Sequence, residues 1–458
     1  SGYAMGSSAE AQTHGVRFDR ALTLSSSGGD IAIRGKSYAR AVQWGYGASG
    51  VGFYFLTSAG SIDSGTGKIL IDGYSQTSGS SYSSGVYFYT QQPFTIKSAN
   101  TTVNAINITA KATGTSGDAF AIEQEDNVLS ILATGTNGGI TLNTSQKGTT
   151  WDGVFRSELN VLAKSGPITW TGKSDADGVS GGWYGPLAYW GSRSSSLVTT
   201  SSSNISLAVD RFDWASGTTP SFATTGSVEI KPASTSFAVT VYSSWFLMNQ
   251  NGQTIGGYTL GKTGSSSLLS INTAVSANGP ITLYGGDINL DTGLTSTKSG
   301  AAISVNATGK ITQAASVTLQ TLAGDIGLNS SVAGGTSGGI VLNASSSLKS
   351  FGGNITLGGG YIGTQGAGLY SATANAPGVL MTSNTIDAAG GNINIYGRNT
   401  AAYDDGVRIS SGSISTTGTG TIGIYGDSYG GSNGTTHYSG VTLLGSATTL
   451  QTSSGAIE

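Results

Sequence analysis

Apolar residues in this chain fall into short alternating runs, and the runs return in a fixed order. A phrase of the form Gly-x-Ile-x-Ile/Leu recurs as GGDIAIRG, GKILIDG, NAINITAK, GGITLNT, GPITWTG, GPITLYG, GGIVLNAS, GGNITLGG, GGNINIYG and GTIGIYG. Alternation at period two puts both apolar side chains on one face of an extended strand and the residue between them on the other. The first Ile of successive phrases steps from Ile31 to Ile69, Ile106, Ile140 and Ile168, and later from Ile355 to Ile393 and Ile422. A second phrase follows each first one, at Val51, Val86, Phe120, Val154, Leu187, Val407 and Val441. A third phrase, often Ser-Ile-x-Ser/Thr, appears at Ile62, Ile96 and Ile414.

Three distinguishable strands returning in the same order, with no amphipathic run of helix length, predict one turn of a β-solenoid per repeat. An antiparallel sandwich would instead place hairpin signals between neighbouring strands at regular spacing. The fold class read from the sequence is therefore all-β: a right-handed parallel β-helix with three short strands per coil and loop insertions. One continuous solenoid is expected over 1–458, with longer, insertion-bearing coils over 1–278, tight coils over 279–360 and longer coils again over 361–458. Stacked phrases should form aliphatic interior columns, with Thr and Asn at equivalent positions in ladders and Asn107, Asn143 and Asn343 placed to stack or to satisfy corner backbone groups. The glycines before each strand are expected at corners with positive φ, and Pro167 and Pro280 at strand starts, where a missing N–H does least harm.

Composition sharpens this picture. Glycine numbers 73 and charged residues are only 10%, which alone would suggest a flexible linker. The 37% apolar fraction, with 20 Tyr, 12 Phe and 7 Trp, is enough to cover a packed core. A net charge of −3 with no Lys/Arg cluster argues against nucleic acid and against anionic membrane as partners. No apolar run approaches the ~18 residues of a membrane helix, so no membrane insertion is expected. The opening SGYAMGSSAE is not a signal peptide, and any export signal is expected upstream or already removed. Cysteine is absent, which excludes disulfides, Cys-ligated zinc and thiol catalysis. The final SSGAIE reads as the opening of a further phrase, so the expected setting is a longer array, or neighbouring copies stacked end to end.

Candidate chemistry is sparse. His14 and His437 are too isolated for a triad. Glu123, Glu125 and Asp126 read as a turn after a strand rather than a cation site. Asp175 and Asp177 begin like a calcium loop but lack its later ligands, leaving them weak metal candidates. Asp404 and Asp405 resemble a turn, and Asp210 with Asp213 could form an acid/base couple whose separation the sequence does not set. Trp183, Tyr184, Tyr189 and Trp190 are the strongest contact candidates, with Trp44, Tyr46 and Trp245 in other insertions. Flat rings suit sugar faces and protein contacts, although the same rings could simply plug corners. No cofactor motif or catalytic residue stands out.

The phrases GGDIAI, GGITLN, GGNITLGG, GGNINI and GTGTIGIYG resemble the β-helical repeat regions of large secreted bacterial adhesins of the two-partner secretion class, the filamentous haemagglutinin-like exoproteins. The resemblance is one of repeat style over nearly the whole chain. The NPNL and NPNGI strings of that family's secretion domain are absent, which implies a shaft segment rather than the export domain. It implies a secreted or cell-surface, non-enzymatic stalk or filament element that presents loops for cell-cell or surface contact, as in biofilms, with bacterial or host surface glycans among its partners. A carbohydrate-active β-helix enzyme, a polysaccharide lyase or glycosidase, is the alternative. A glycan-binding module using exposed Trp/Tyr is the third reading.

Overall fold

The structure, a computed structural model, describes residues 2–6, 13–19, 22–39, 48–55, 59–78, 83–90, 92–114, 119–125, 127–147, 152–153, 158–174, 196–211, 219–332, 338–359, 361–362, 369–373, 376–400, 404–428 and 439–458. Strands dominate, and among the described residues the helical elements are the single 3-10 turns Ser243–Trp245 and Gln250–Gly252. The chain forms two compact units, Ser1–Ser234 with Trp245–Gln253, and Thr235–Ser244 with Thr254–Glu458. Each is an all-β parallel solenoid in its own right.

In the first unit every phrase has its own sheet. First-phrase strands Ile31–Ala39, Ile69–Thr77, Ile106–Gly114, Ile140–Lys147, Ile168–Ser174, Ile205–Val209 and Ser227–Lys231 pair in parallel, each with the one a coil away. Second-phrase strands Thr13–Phe18, Ala48–Phe55, Ser83–Thr90 and Ala119–Glu125 do the same. So do third-phrase strands Thr23–Ser25, Gly60–Asp63, Phe94–Ser98, Leu129–Ala133, Leu159–Ala163, Ser196–Thr199 and Ser221–Ala223. Parallel strands need a long crossover, and here the other two phrases of the coil supply it.

The interior columns follow from the alternation. Ile31, Ile69, Ile106, Ile140, Ile168, Ile205 and Val228 are in register, and beside them run Ile33, Ile71, Ile108, Leu142, Trp170, Leu207 and Ile230. All but Ile31 are buried. Each such aliphatic side chain contributes about 1.5–3 kcal/mol on burial, so the columns outweigh any single surface contact. Trp170 is accommodated because its indole N–H donates to Thr144 Oγ1 at 3.0 Å, one coil below. Phe53 stacks on Phe18 and Phe88 with centroids 5.2 and 4.9 Å away, and Phe94 of the third sheet closes the cluster.

The second unit keeps the first-phrase sheet, with Gly257–Leu260, Ile281–Gly285, Ile303–Ala307, Ile326–Ser330, Ile355–Gly359, Ile393–Asn399 and Ile422–Ser428 in parallel succession. Its other two phrases approach each other and then merge. Gly339–Leu342 and Ser347–Lys349 both pair with the single nine-residue strand Val379–Asp387, which pairs in turn with Val407–Ser415. Ser345, Ser383 and Ser411 hold φ of 61°, 51° and 64° where the two halves meet, so a left-handed residue turns this corner coil after coil. An antiparallel pair, Tyr361–Ile362 with Leu369–Thr373, is an addition to one coil.

One expectation is corrected and two are refined. Phe120 stands opposite Ser84, and Ile122 is the residue opposite Val86, because the run Ala119-Phe120-Ala121-Ile122 alternates without a glycine to fix its phase. Asn107 pairs with Leu70 and Thr141, Asn143 continues a column with Thr109 and Thr171, and Asn343, beyond its strand, satisfies backbone, its Nδ2 donating to the Gln313 carbonyl oxygen at 3.0 Å. The observed ladder is Asn329 Nδ2 to Asn306 Oδ1, 3.0 Å. Glycines with positive φ do stand at corners before strands, as Gly65, Gly300, Gly352 and Gly390 show, and a second set beside them serves a different purpose. Gly324, Gly353, Gly391, Gly420 and Gly455 have no positive φ, but a Cβ on Gly353 would lie 2.1 Å from the Gly324 carbonyl oxygen, and one on Gly391 2.0 Å from that of Gly353. Direct stacking of corner backbones, not left-handed geometry, excludes a side chain there.

Candidate functional site: the outer face of the long parallel sheet

In the first unit, the first-phrase strands run on beyond the aliphatic columns. Their next inward positions are Gly35, Gly73, Ala110, Thr144 and Gly172, followed by Ser37, Ser75, Ala112 and Gln146. Small residues let the second-phrase sheet come into backbone contact: a Cβ on Gly73 would sit 2.1 Å from the Gly85 carbonyl oxygen. Ser75 Oγ meets Ser83 Oγ at 2.8 Å, and Ser37 Oγ donates to Thr13 Oγ1 at 2.7 Å. These interlocked hydroxyls satisfy one another inside, so the extension is a thin double layer with a broad outward face.

Three columns of outward positions follow by register. One reads Arg34, Asp72, Thr109, Asn143 and Thr171; the next Lys36, Tyr74, Lys111 and Ser145; the third Tyr38, Gln76, Thr113 and Lys147. The Tyr38 and Tyr74 rings lie 5.6 Å apart, tilted by 60°. Lys111 Nζ sits 5.6 Å from the Tyr74 ring centroid, within cation–π range. The Tyr74 hydroxyl donates to Gln76 Oε1 at 2.9 Å. Partial burial, reinforced by Tyr38, pushes the Tyr74 phenol above its ordinary pKa, so it stays protonated as a donor. Arg34, Lys36, Lys111 and Lys147 are all exposed. The face can therefore stack against a flat ligand, donate hydrogen bonds and neutralise negative charge.

Trp183, Tyr184, Tyr189 and Trp190 lie outside the described residues, as do Asp175, Asp177, His437, Asp126, Asp213, Trp44, Tyr46, Val154 and Leu187. Trp245 is half-buried in its 3-10 turn. Glu123 is buried and accepts a hydrogen bond from Ser84 Oγ. Asp210 Oδ1 accepts from the backbone N–H and hydroxyl of Ser234, at 2.7 and 2.8 Å, which is a turn-capping role. Asp405 pairs with Arg408 Nε at 2.7 Å and accepts the Ser439 N–H, and Asp404 takes the other arm of Arg408. Among the described residues no group of three or more His, Cys, Asp or Glu could hold a metal ion, and no helix is long and apolar enough to cross a membrane.

His14 is held between two partners. Arg17 can only donate, so its Nη1, 3.0 Å from Nε2, fixes that nitrogen as acceptor and makes Nδ1 the donor to Ser49 Oγ at 2.6 Å. Burial, with the Arg17 charge adding to it against Asp19, lowers the pKa to about 4, leaving a neutral structural imidazole near pH 7.

The Lys/Tyr columns escape a reading based on clusters along the chain, because their members are a coil apart in sequence. The available signal was the residue inside Gly-x-Ser or its equivalent after each Ile-x-Ile: Lys36 in RGKSYA, Tyr74 in DGYSQT and Lys111 in TAKATG. No family model, curated protein or solved structure matches this chain.

Proposed function

We propose that this chain is a structural and adhesive β-helical stalk of a secreted or surface-exposed bacterial protein, of the filamentous haemagglutinin-like kind, presenting its outer faces and loops for contact. The observation that supports it most is the unbroken in-register stacking of aliphatic columns within each unit. Side chains fill the interior, so what the molecule offers to others lies outside, on regularly spaced ladders suited to many weak contacts at once. End-to-end contact with further repeats or copies fits the same stacking.

The test is retention under flow. Beads coated with the purified chain should hold to bacterial or epithelial cell layers well above albumin-coated beads, and soluble chain should compete them off. Beads that wash away like albumin, or release of unsaturated or reducing ends from polysaccharides incubated with the chain, would overturn the reading, the latter in favour of a lyase or glycosidase.

A further inference from the structure

We infer that the column Lys36–Tyr74–Lys111 binds a linear anionic polysaccharide carrying one carboxylate per two-sugar repeat. The inference rests on the adhesive reading above and names its ligand class. Register alone sets the spacing: Lys36 is opposite Tyr74, and Tyr74 opposite Lys111. The two cations thus stand two strands apart, about 9.6 Å at ~4.8 Å per strand. Tyr74, an uncharged position with a hydroxyl, lies between them. A β-linked disaccharide in an extended chain has a similar length, so each carboxylate meets an ammonium group while the intervening sugar lies over a ring or hydroxyl. The tilted Tyr38 ring widens that platform, and Lys147 adds a cation in the neighbouring column.

Charge balance within the face agrees. Asp72 stands opposite Arg34, in the adjacent column, whereas no ion pair is made by Lys36 or Lys111 among the described residues. Lys111 spends its charge on the Tyr74 ring, a contact that aligns both groups before a ligand arrives. Other linear polyanions match the spacing poorly. An extended acidic peptide repeats a given face every ~6.8 Å, and duplex DNA carries a charge every ~1.7 Å along its axis.

Binding can be read by biolayer interferometry with immobilised hyaluronan, which has one carboxylate per disaccharide, beside polygalacturonate, dextran, poly-glutamate and duplex DNA. Hyaluronan should be bound best, and binding should weaken as salt is raised. Lys36→Ala with Lys111→Ala should lose about tenfold in affinity, and Tyr74→Ala a comparable amount. Lys298→Ala with Lys310→Ala, exposed lysines of the second unit, should change nothing. Circular dichroism and melting of each variant would exclude misfolding, and Lys111→Arg, which keeps charge and ring contact, should restore binding. Equal or tighter binding of poly-glutamate, DNA or polygalacturonate, or full hyaluronan binding by the double variant, would overturn the inference. Bead adhesion that persists while hyaluronan is ignored would overturn this ligand class and leave the adhesive role standing.

Discussion

The two units build the same interior and different exteriors. On the first, the outer face of the long sheet carries Lys36, Lys111 and Lys147 with Tyr38 and Tyr74. On the second, the column that matches Arg34 and Asp72 reads Tyr284, Asn306 and Asn329, and the position that matches Lys36 and Tyr74 is reached by Arg398 and Asp427, which pair with each other at 3.3 Å beside the stacked Tyr396 and Tyr425 rings. The inward columns barely differ: Ile281, Ile303, Ile326, Ile355 and Ile393 repeat what Ile69, Ile106 and Ile140 do in the first unit. Because strand alternation separates the faces, an outward residue can change with little effect on packing. The units differ inside chiefly at their corners. The first is filled by Phe53, Phe88, Phe94 and Trp170, and the second is turned by left-handed serines lined with buried Gln313 and Asn384.

The sharpest way to break that comparison is to damage one interior and leave the other. Trp170→Ala should cost the first unit about 3–5 kcal/mol, by loss of burial and the cavity left behind. Urea melts with hydrogen exchange should show protection lost around Ile140–Ser174 and retained around Ile303–Ser330. Loss of protection in both stretches would show that the units do not unfold separately.

Next in size is the stacked corner of the second unit. Gly353→Ala places a methyl group against the Gly324 backbone and should destabilise by about 1–3 kcal/mol in a thermal melt. A neutral result would mean that the corner carbonyls are free to move apart.

The pH response should separate the units more gently. His14 has a folded pKa of about 4 against an ordinary 6.5, so the unfolded chain binds a proton first as pH falls. Stability is therefore full above pH 6.5 and lost on the way down to pH 4, by about 1–2 kcal/mol after allowance for its partial exposure. His14→Asn should flatten that slope in urea melts at pH 7 and pH 4.5. Asp63, whose pKa is lowered by the Gly65 N–H and by Lys97, adds loss only at still lower pH.

Smallest is the surface pair Lys231–Glu229 at 2.7 Å, about a third exposed on both sides. Lys231→Ala should shift the urea midpoint by no more than about 0.5 kcal/mol, and that shift should shrink in high salt.

Much of the architecture was readable before any coordinates. Ile-x-Ile phrases in a fixed order announce parallel coils, since alternation and return are properties of the chain itself. Phase in the second phrase follows a marking glycine: Val51 and Val86 stand opposite each other, while Phe120 lies two residues off because Ala121 replaces that glycine. Asn343 satisfies backbone at the end of its strand as its position suggests, while Asn107 and Asn143 fall in different columns, since a neighbour across strands depends on loop lengths that sequence spacing does not reveal.

The sequence by itself determined the period, the inward aliphatic positions and the exclusion of cysteine chemistry, because each depends only on which residues alternate and which are missing. Tertiary structure decided which residues meet across coils. It brought Lys36, Tyr74 and Lys111 into one column from positions more than thirty residues apart, and pressed Gly353 onto Gly324 so closely that no side chain fits. Contacts of that kind are set by register, and register is fixed only when the whole coil has closed on its neighbour.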